Sequence, residues 1–202
     1  MSRYPQIEIE NVRLYSIAER RSKVELDFLG KPCDGQAAFA EWWKTLPKTL
    51  AAKDLKNISL EILRTRRKNK PVIVMMGAHV IKVGLSPVLI DLMECGIITA
   101  LAMNGAGIIH DSELALFGKT SEDVAENLSD GTFGMAKETG EFINCAVRKG
   151  LKAGLGLGET LGKELVAGKA ANLDISLLAQ AYRLQIPVTV HVAIGTDIIH
   201  QQ

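Results

Sequence analysis

Three of the four histidines fall into three short stretches, Gly77–Gly84, Asn104–Glu113 and Gly195–His200. These stretches hold His79, His110 and His200, with Lys82, Asn104, Asp111, Glu113 and Asp197 close by in sequence. Imidazole titrates near neutral pH, so His79 and His110 are candidate bases for moving a proton. Taken with Asp111, Asp197 and His200, they also offer enough ligands for a zinc or manganese ion, which defines a metal-dependent hydrolase as one reading. Against that reading, no two of them have the i, i+4 spacing of a helical zinc pair. Each residue also has a plain structural reading. His110 and Asp111 can cap a helix, Asn104 before Gly105 can be a turn, and Lys82 can be a solvated charge. The fourth histidine, His191, sits inside an apolar run, where a hydrogen-bonded core position is the simpler account.

Each stretch follows an apolar run. Pro71–Met76, Ile97–Met103 and Ile186–Ala193 are short, apolar and bounded by Pro or Gly, which predicts strands buried on both faces. Helical patterns lie between them. Ser86 caps one with Pro87 at its first position, carrying Val88, Leu89, Leu92 and Met93 to a stop at Gly96. Another runs from the loop Asn104-Gly105-Ala106-Gly107 through Leu114 and Leu116 to Gly118. Further helices are expected from Thr120 to Leu128, from Phe133 to Lys149, around Leu161 and Leu165, and from Ile175 to Leu184. Strand, loop, helix and strand in this order imply an α/β fold with parallel strands. Ligands in such folds bind beyond the carboxyl ends of the strands, which is where the three polar stretches fall. The run Gly154-Leu155-Gly156-Leu157-Gly158 follows a helix rather than a strand, so it reads as a helix–helix connection more than a phosphate loop.

The first 33 residues read as an extension covering the sheet, with strand-like alternation at Ile7 and Ile9 and at Val24, Leu26 and Phe28. Helices are expected after Asp34, carrying Phe39, Trp42 and Trp43, and from Lys53 to Arg67. The five basic residues within Arg64–Lys70 fall at that second helix's C-terminus, where they complement its dipole. With 202 residues the chain fits a single domain: an extension, 1–33, and a core, 34–202. Only three strong parallel strands are found, so the core reads as the front part of a longer protein. The net charge is +1, which gives no global field for nucleic acid or membrane, and no apolar run is long enough to span a bilayer. The three cysteines, Cys33, Cys95 and Cys145, form no disulfide framework. A cytoplasmic protein is expected.

Two strings resemble the deoxyhypusine synthase family, in particular its bacterial deoxyhypusine synthase-like branch. They are Gly77-Ala78-His79-Val80-Ile81-Lys82-Val83-Gly84-Leu85-Ser86 and Ala102-Met103-Asn104-Gly105-Ala106-Gly107-Ile108-Ile109-His110-Asp111. The resemblance covers roughly Pro71 to the end. It implies a Rossmann-like parallel sheet with helices on both faces, NAD as cofactor, a polyamine or related amine as substrate, and assembly as a dimer or tetramer. Under it the chain is an NAD-dependent aminoalkyl transferase. Gly77, Ala78 and His79 would approach the dinucleotide. Asn104, Gly105, Ala106 and Gly107, with His110 and Asp111, would hold a phosphate or ribose, and Asp197 would lie at the cofactor or amine end. The sequence departs from the family at Gly77-Ala78-His79, where hydroxyl ligands are lost, and at Ile109-His110-Asp111, where one carboxylate is lost. No residue corresponds to the family's intermediate-forming lysine. A truncated, non-catalytic subunit that binds a nucleotide or partner is a third reading.

Overall fold

The computed structural model describes residues 13–129, 131–197 and 199. The chain divides into two compact units, Met1–Glu61 and Ile62–Gln202. The first contains 3-10 turns at Ile17–Glu19 and Leu26–Phe28 and the helix α1, Phe39–Thr45. Helix α2, Leu50–Arg67, runs across the boundary. The alternation at Val24, Leu26 and Phe28 does not make a strand. Leu26 is 88% exposed there, and a period-two pattern specifies a strand only where a sheet face receives it. Ile7 and Ile9 lie outside the described residues. In α1 the rings of Phe39, Trp42 and Trp43 pack on one another, with centroids 5.4 to 6.4 Å apart.

The second unit carries the sheet. Its strands are β1, Ile73–Met76, β2, Ala100–Asn104, and β3, Val188–His191, all parallel and ordered β1-β2-β3. Between β1 and β2 lie α3, His79–Lys82, and α4, Ser86–Glu94. Between β2 and β3 lie α5, Gly105–Phe117, α6, Val124–Leu128, α7, Lys137–Ala153, α8, Leu157–Ala167, and α9, Leu177–Arg183. The stretch after β1, expected as a loop, therefore contains a helical turn. The fold is α/β, as the alternation of apolar runs and helical periods predicts.

The expectation of strands buried on both faces, with helices on each, holds for burial at the central β2, where Leu101, Ala102 and Met103 are all buried, and needs correction at the edge strands β1 and β3. Val74 and Met76 of β1 and Val188 and Val190 of β3 pack against the core. On the opposite face Ile73 is 56% and Met75 77% exposed, and Thr189 and His191 are exposed as well. The physical reason is the strand order. When consecutive parallel strands are neighbours, right-handed crossovers put every connecting helix on the same side. The core lies on that side, around Leu101, Met103, Ile108, Ile143, Leu161, Leu165, Leu177 and Leu178, each at most 1% exposed. Glycine lets the layers meet there. A Cβ on Gly158 of α8 would collide with the backbone carbonyl of Val188 in β3. The glycine run that raised a phosphate-loop reading joins α7 to α8: Gly154 ends α7 and Gly156 caps α8. Of the basic run after α2, Arg66 is anchored, donating to the carbonyls of Gly96 at 2.8 Å and Lys70 at 2.7 Å.

Candidate functional site at the strand ends

Helix α5 begins at the last residue of β2 without an intervening loop. Asn104 serves both elements: it pairs with His191 of β3 in the sheet register, and its side-chain oxygen accepts from the Gly107 N–H at 3.0 Å as an N-cap. Gly77, at the end of β1, lies beside the Asn104 amide, 3.7 Å from where its Cβ would be. The first two polar stretches thus meet at the carboxyl ends of β1 and β2. The third joins them through Asp197, whose carboxylate sits so close to Gly105 that any Cβ there would overlap it. A carboxylate is favoured at that place by the helix dipole. The same carboxylate occupies the ground where a phosphate would meet the start of α5.

A cavity of about 760 Å³ opens beside this junction. Its near wall is α5, through Ala106, Ile109, His110, Glu113 and Phe117, with Lys82 of α3 and Asp197. Its far wall is the segment from Lys119 to Thr139, including Thr120, Phe133, Glu138 and Thr139. The volume falls in the range of small-molecule sites, roughly 300–1,000 Å³.

The polar centre of the cavity is a hydrogen-bonded series on two turns of α5. The Thr120 hydroxyl donates to one oxygen of Glu113 at 2.5 Å, and the Thr139 hydroxyl donates to the other at 3.0 Å. The Nδ1 of His110 lies 2.5 Å from the same Thr120 oxygen. His110 Nδ1 and the Glu113 carboxylate are 3.8 Å apart, with both side chains less than a fifth exposed. Burial holds the His110 imidazole below the ordinary histidine value; Glu113 opposes that shift and the Lys82 ammonium adds to it. A neutral ring with one nitrogen free is the form that can accept a proton.

Among the expected site residues, Ala106, His110 and Asp197 line the cavity, and Gly105 lies under Asp197. Asn104 and Gly107 form the cap at the start of α5. Gly77, Ala78 and the exposed His79 sit at the end of β1 and do not line it, so His79 and His110 do not share one wall. Asp111 points the other way and is 0% exposed. One of its oxygens accepts from the Leu177 N–H at 2.8 Å, the other from the Ser176 hydroxyl at 2.7 Å and the Leu178 N–H at 3.0 Å. Burial pushes its carboxyl up and these bonds pull it back. It anchors the start of α9, and no ligand in the cavity reaches it, which removes the ribose or phosphate role expected of it. His191 is exposed on the uncovered sheet face, where its Nε2 is 3.0 Å from the Thr189 hydroxyl, rather than in the core. His200 lies outside the described residues. Among the described residues no three His, Cys, Asp or Glu side chains come together around a metal position. Sequence reasoning missed Thr120, Thr139 and Glu138 as site residues. Glu113 was within reach of it, because i, i+3 spacing from His110 puts both on one helix face.

No family model matches the chain, and no curated protein matches it. Solved structures do. One is the apo structure of ArgZ, an arginine dihydrolase from the ornithine–ammonia cycle in cyanobacteria, at 20% identity and a TM-score of 0.50, covering 74% of this chain and 20% of that one. Another is a conserved putative LOR/SDH protein from Methanococcus maripaludis S2, at 20% identity and a TM-score of 0.48, covering 74% of this chain and 43% of that one. The chain thus spans about a fifth of the first and less than half of the second. At 20% identity the likeness to ArgZ speaks to the α/β fold alone. The same structure also corrects the family reading: it is an arginine dihydrolase, not a deoxyhypusine synthase. The NAD-dependent aminoalkyl transfer and polyamine substrate implied by that resemblance fall with it. The short glycine, asparagine and histidine strings behind the resemblance are what many strand-to-helix junctions in parallel sheets use, so similar strings arise in different families.

Proposed function

We propose that residues 62–202 are a Rossmann-like ligand-binding domain whose cavity takes a free amino acid or a closely related zwitterion, and that His110 removes a proton from it. The observation that carries this reading is the convergence of a partly buried imidazole, cations, carboxylates and an apolar wall around one cavity at the strand ends. Lys82 and Lys119 supply positive charge for a carboxylate, while Glu138 and Asp197 supply negative charge for an ammonium. Ile109, Phe117, Val124 and Phe133 offer an apolar surface for a side chain. In the proton step an X–H bond of the ligand breaks, the proton goes to the imidazole, and the electron pair stays on the ligand. Lys82 lowers the cost of the negative charge that results. The arginine dihydrolase named above acts, by its name, on an amino acid, which agrees with the ligand class; its reaction is not carried over, because the match spans only a fifth of it.

Calorimetric titration of the full chain with the common amino acids, and with their N-acetyl and methyl-ester derivatives, tests this reading. Saturable binding is expected for at least one free amino acid and for neither of its singly charged derivatives. Lys82→Ala should weaken it about tenfold or more, the equivalent of one charge-assisted contact. Failure of every amino acid to bind at about 10 mM, a concentration that would detect contacts worth only a few kcal/mol, would remove the ligand class.

A further inference from the structure

The geometry points to Thr120 and Glu113 as positioning residues that hold His110 in the tautomer with its proton on Nδ1, leaving Nε2 as the basic nitrogen. The inference deepens the proposed reading of the cavity and rests on it for its purpose, but the tautomer can be observed with no ligand present. A threonine hydroxyl has a single proton. The Thr120 oxygen lies 2.5 Å from both a Glu113 oxygen and His110 Nδ1, so it takes part in two hydrogen bonds. An ionised carboxylate can only accept, so the hydroxyl proton belongs to Glu113. The other Glu113 oxygen accepts from a second hydroxyl, that of Thr139, which is 4% exposed, at 3.0 Å, so both carboxylate oxygens are used as acceptors. The Thr120 oxygen then has only lone pairs to offer His110, and Nδ1 must carry the hydrogen between them. In a neutral ring that leaves Nε2 without one.

The series joins three separate parts of the second unit: α5, the segment after it at Thr120, and the first turn of α7 at Thr139. The far wall therefore sets the proton's position as well as the cavity's shape. Without Thr120, the Glu113 carboxylate stands 3.8 Å from Nδ1, beyond hydrogen-bond reach, and no hydroxyl links the two.

Long-range proton–nitrogen correlation NMR of the full, ligand-free chain at about pH 8, above the ordinary histidine range, reads this directly. The signals of His110 among the four histidines are identified by their loss in His110→Gln. The wild type is expected to show Nδ1 with the shift of a protonated ring nitrogen and Nε2 with that of an unprotonated one. Thr120→Val should exchange or average the two shifts, and Thr120→Ser should restore the wild-type pattern. Glu113→Gln, whose amide can donate to Thr120 and release its hydroxyl toward the ring, should also shift the proton to Nε2. A wild type protonated on Nε2, or a Thr120→Val chain unchanged on Nδ1, overturns the inference even where an amino acid binds. If Thr120→Val does not fold, Thr120→Ser and Glu113→Gln still decide it. The expected NMR pattern without amino-acid binding would keep the relay and remove the ligand reading.

Discussion

His110 and Asp111 are neighbours in sequence with opposite fates. Successive residues on a helix point about 100° apart, so α5 turns His110 to the cavity and Asp111 into the core. Reading them as a pair, as a bound ribose or metal would need, conflicts with the helix that carries them. Once α5 is drawn, the partner for His110 is Glu113, one turn on, and Asp111 is free to cap α9. The consequence for His110 is a pH dependence with a definite sign. Burial lowers its folded-state value, so the unfolded chain binds more protons at acid pH. Its contribution to stability is present above the unfolded value of about 6.5 and is lost as pH falls through the folded one. Urea unfolding of wild type and His110→Gln at pH 7.5 and pH 5 checks this. The stability of wild type relative to the variant should be smaller at pH 5. A constant difference would mean that the ring titrates as it does in the unfolded chain.

At the scale of elements, the junctions depend on glycines that differ in what stands against them. The carboxylate over Gly105 is the end of a side chain, Asp197, whereas the atom over Gly158 is the backbone carbonyl of Val188. A side chain can swing aside and the backbone of a paired strand cannot. Gly105→Ala is therefore expected to change the unfolding free energy by less than about 1 kcal/mol, since alanine suits a helix better than glycine. It should weaken ligand binding by displacing Asp197. Gly158→Ala should cost about 1–3 kcal/mol by forcing α8 away from β3. Chemical denaturation measures both, and equal costs would contradict the packing described. These junctions also mark how far the sequence could be read. The strands are legible in Pro71–Met76, Ile97–Met103 and Ile186–Ala193 because apolar runs bounded by Pro or Gly leave few alternatives. The one-sided exposure of Ile73 and Met75 is not, because a continuous run does not say which face is covered. The far wall of the cavity, Lys119 to Thr139, is not legible as a wall either. Its short α6 and its turns have no periodicity that marks a facing surface, and Thr139 meets Glu113 across 26 positions.

At the scale of the whole molecule, every residue assigned to the cavity lies in the second compact unit. So do the three strands, the cap at Asn104, the Asp111 anchor and the buried core. The first unit contributes no fully buried hydrophobic residue among those described: Leu14, Leu26, Phe39 and Leu50 are all more than 70% exposed. Apolar burial of about 25 cal/mol per Å² is the main favourable term in folding, so the stability of the chain should reside in the second unit. A shortened chain, 62–202, keeps Arg66 and its bonds to Gly96 and Lys70 at the start of the sheet. It is expected to unfold cooperatively with a midpoint close to that of the full chain and to bind the same ligand. Circular dichroism melts and calorimetric titration of the two chains side by side make the comparison. If the shortened chain is unfolded or loses its binding, the stability of the chain does not reside in the second unit alone.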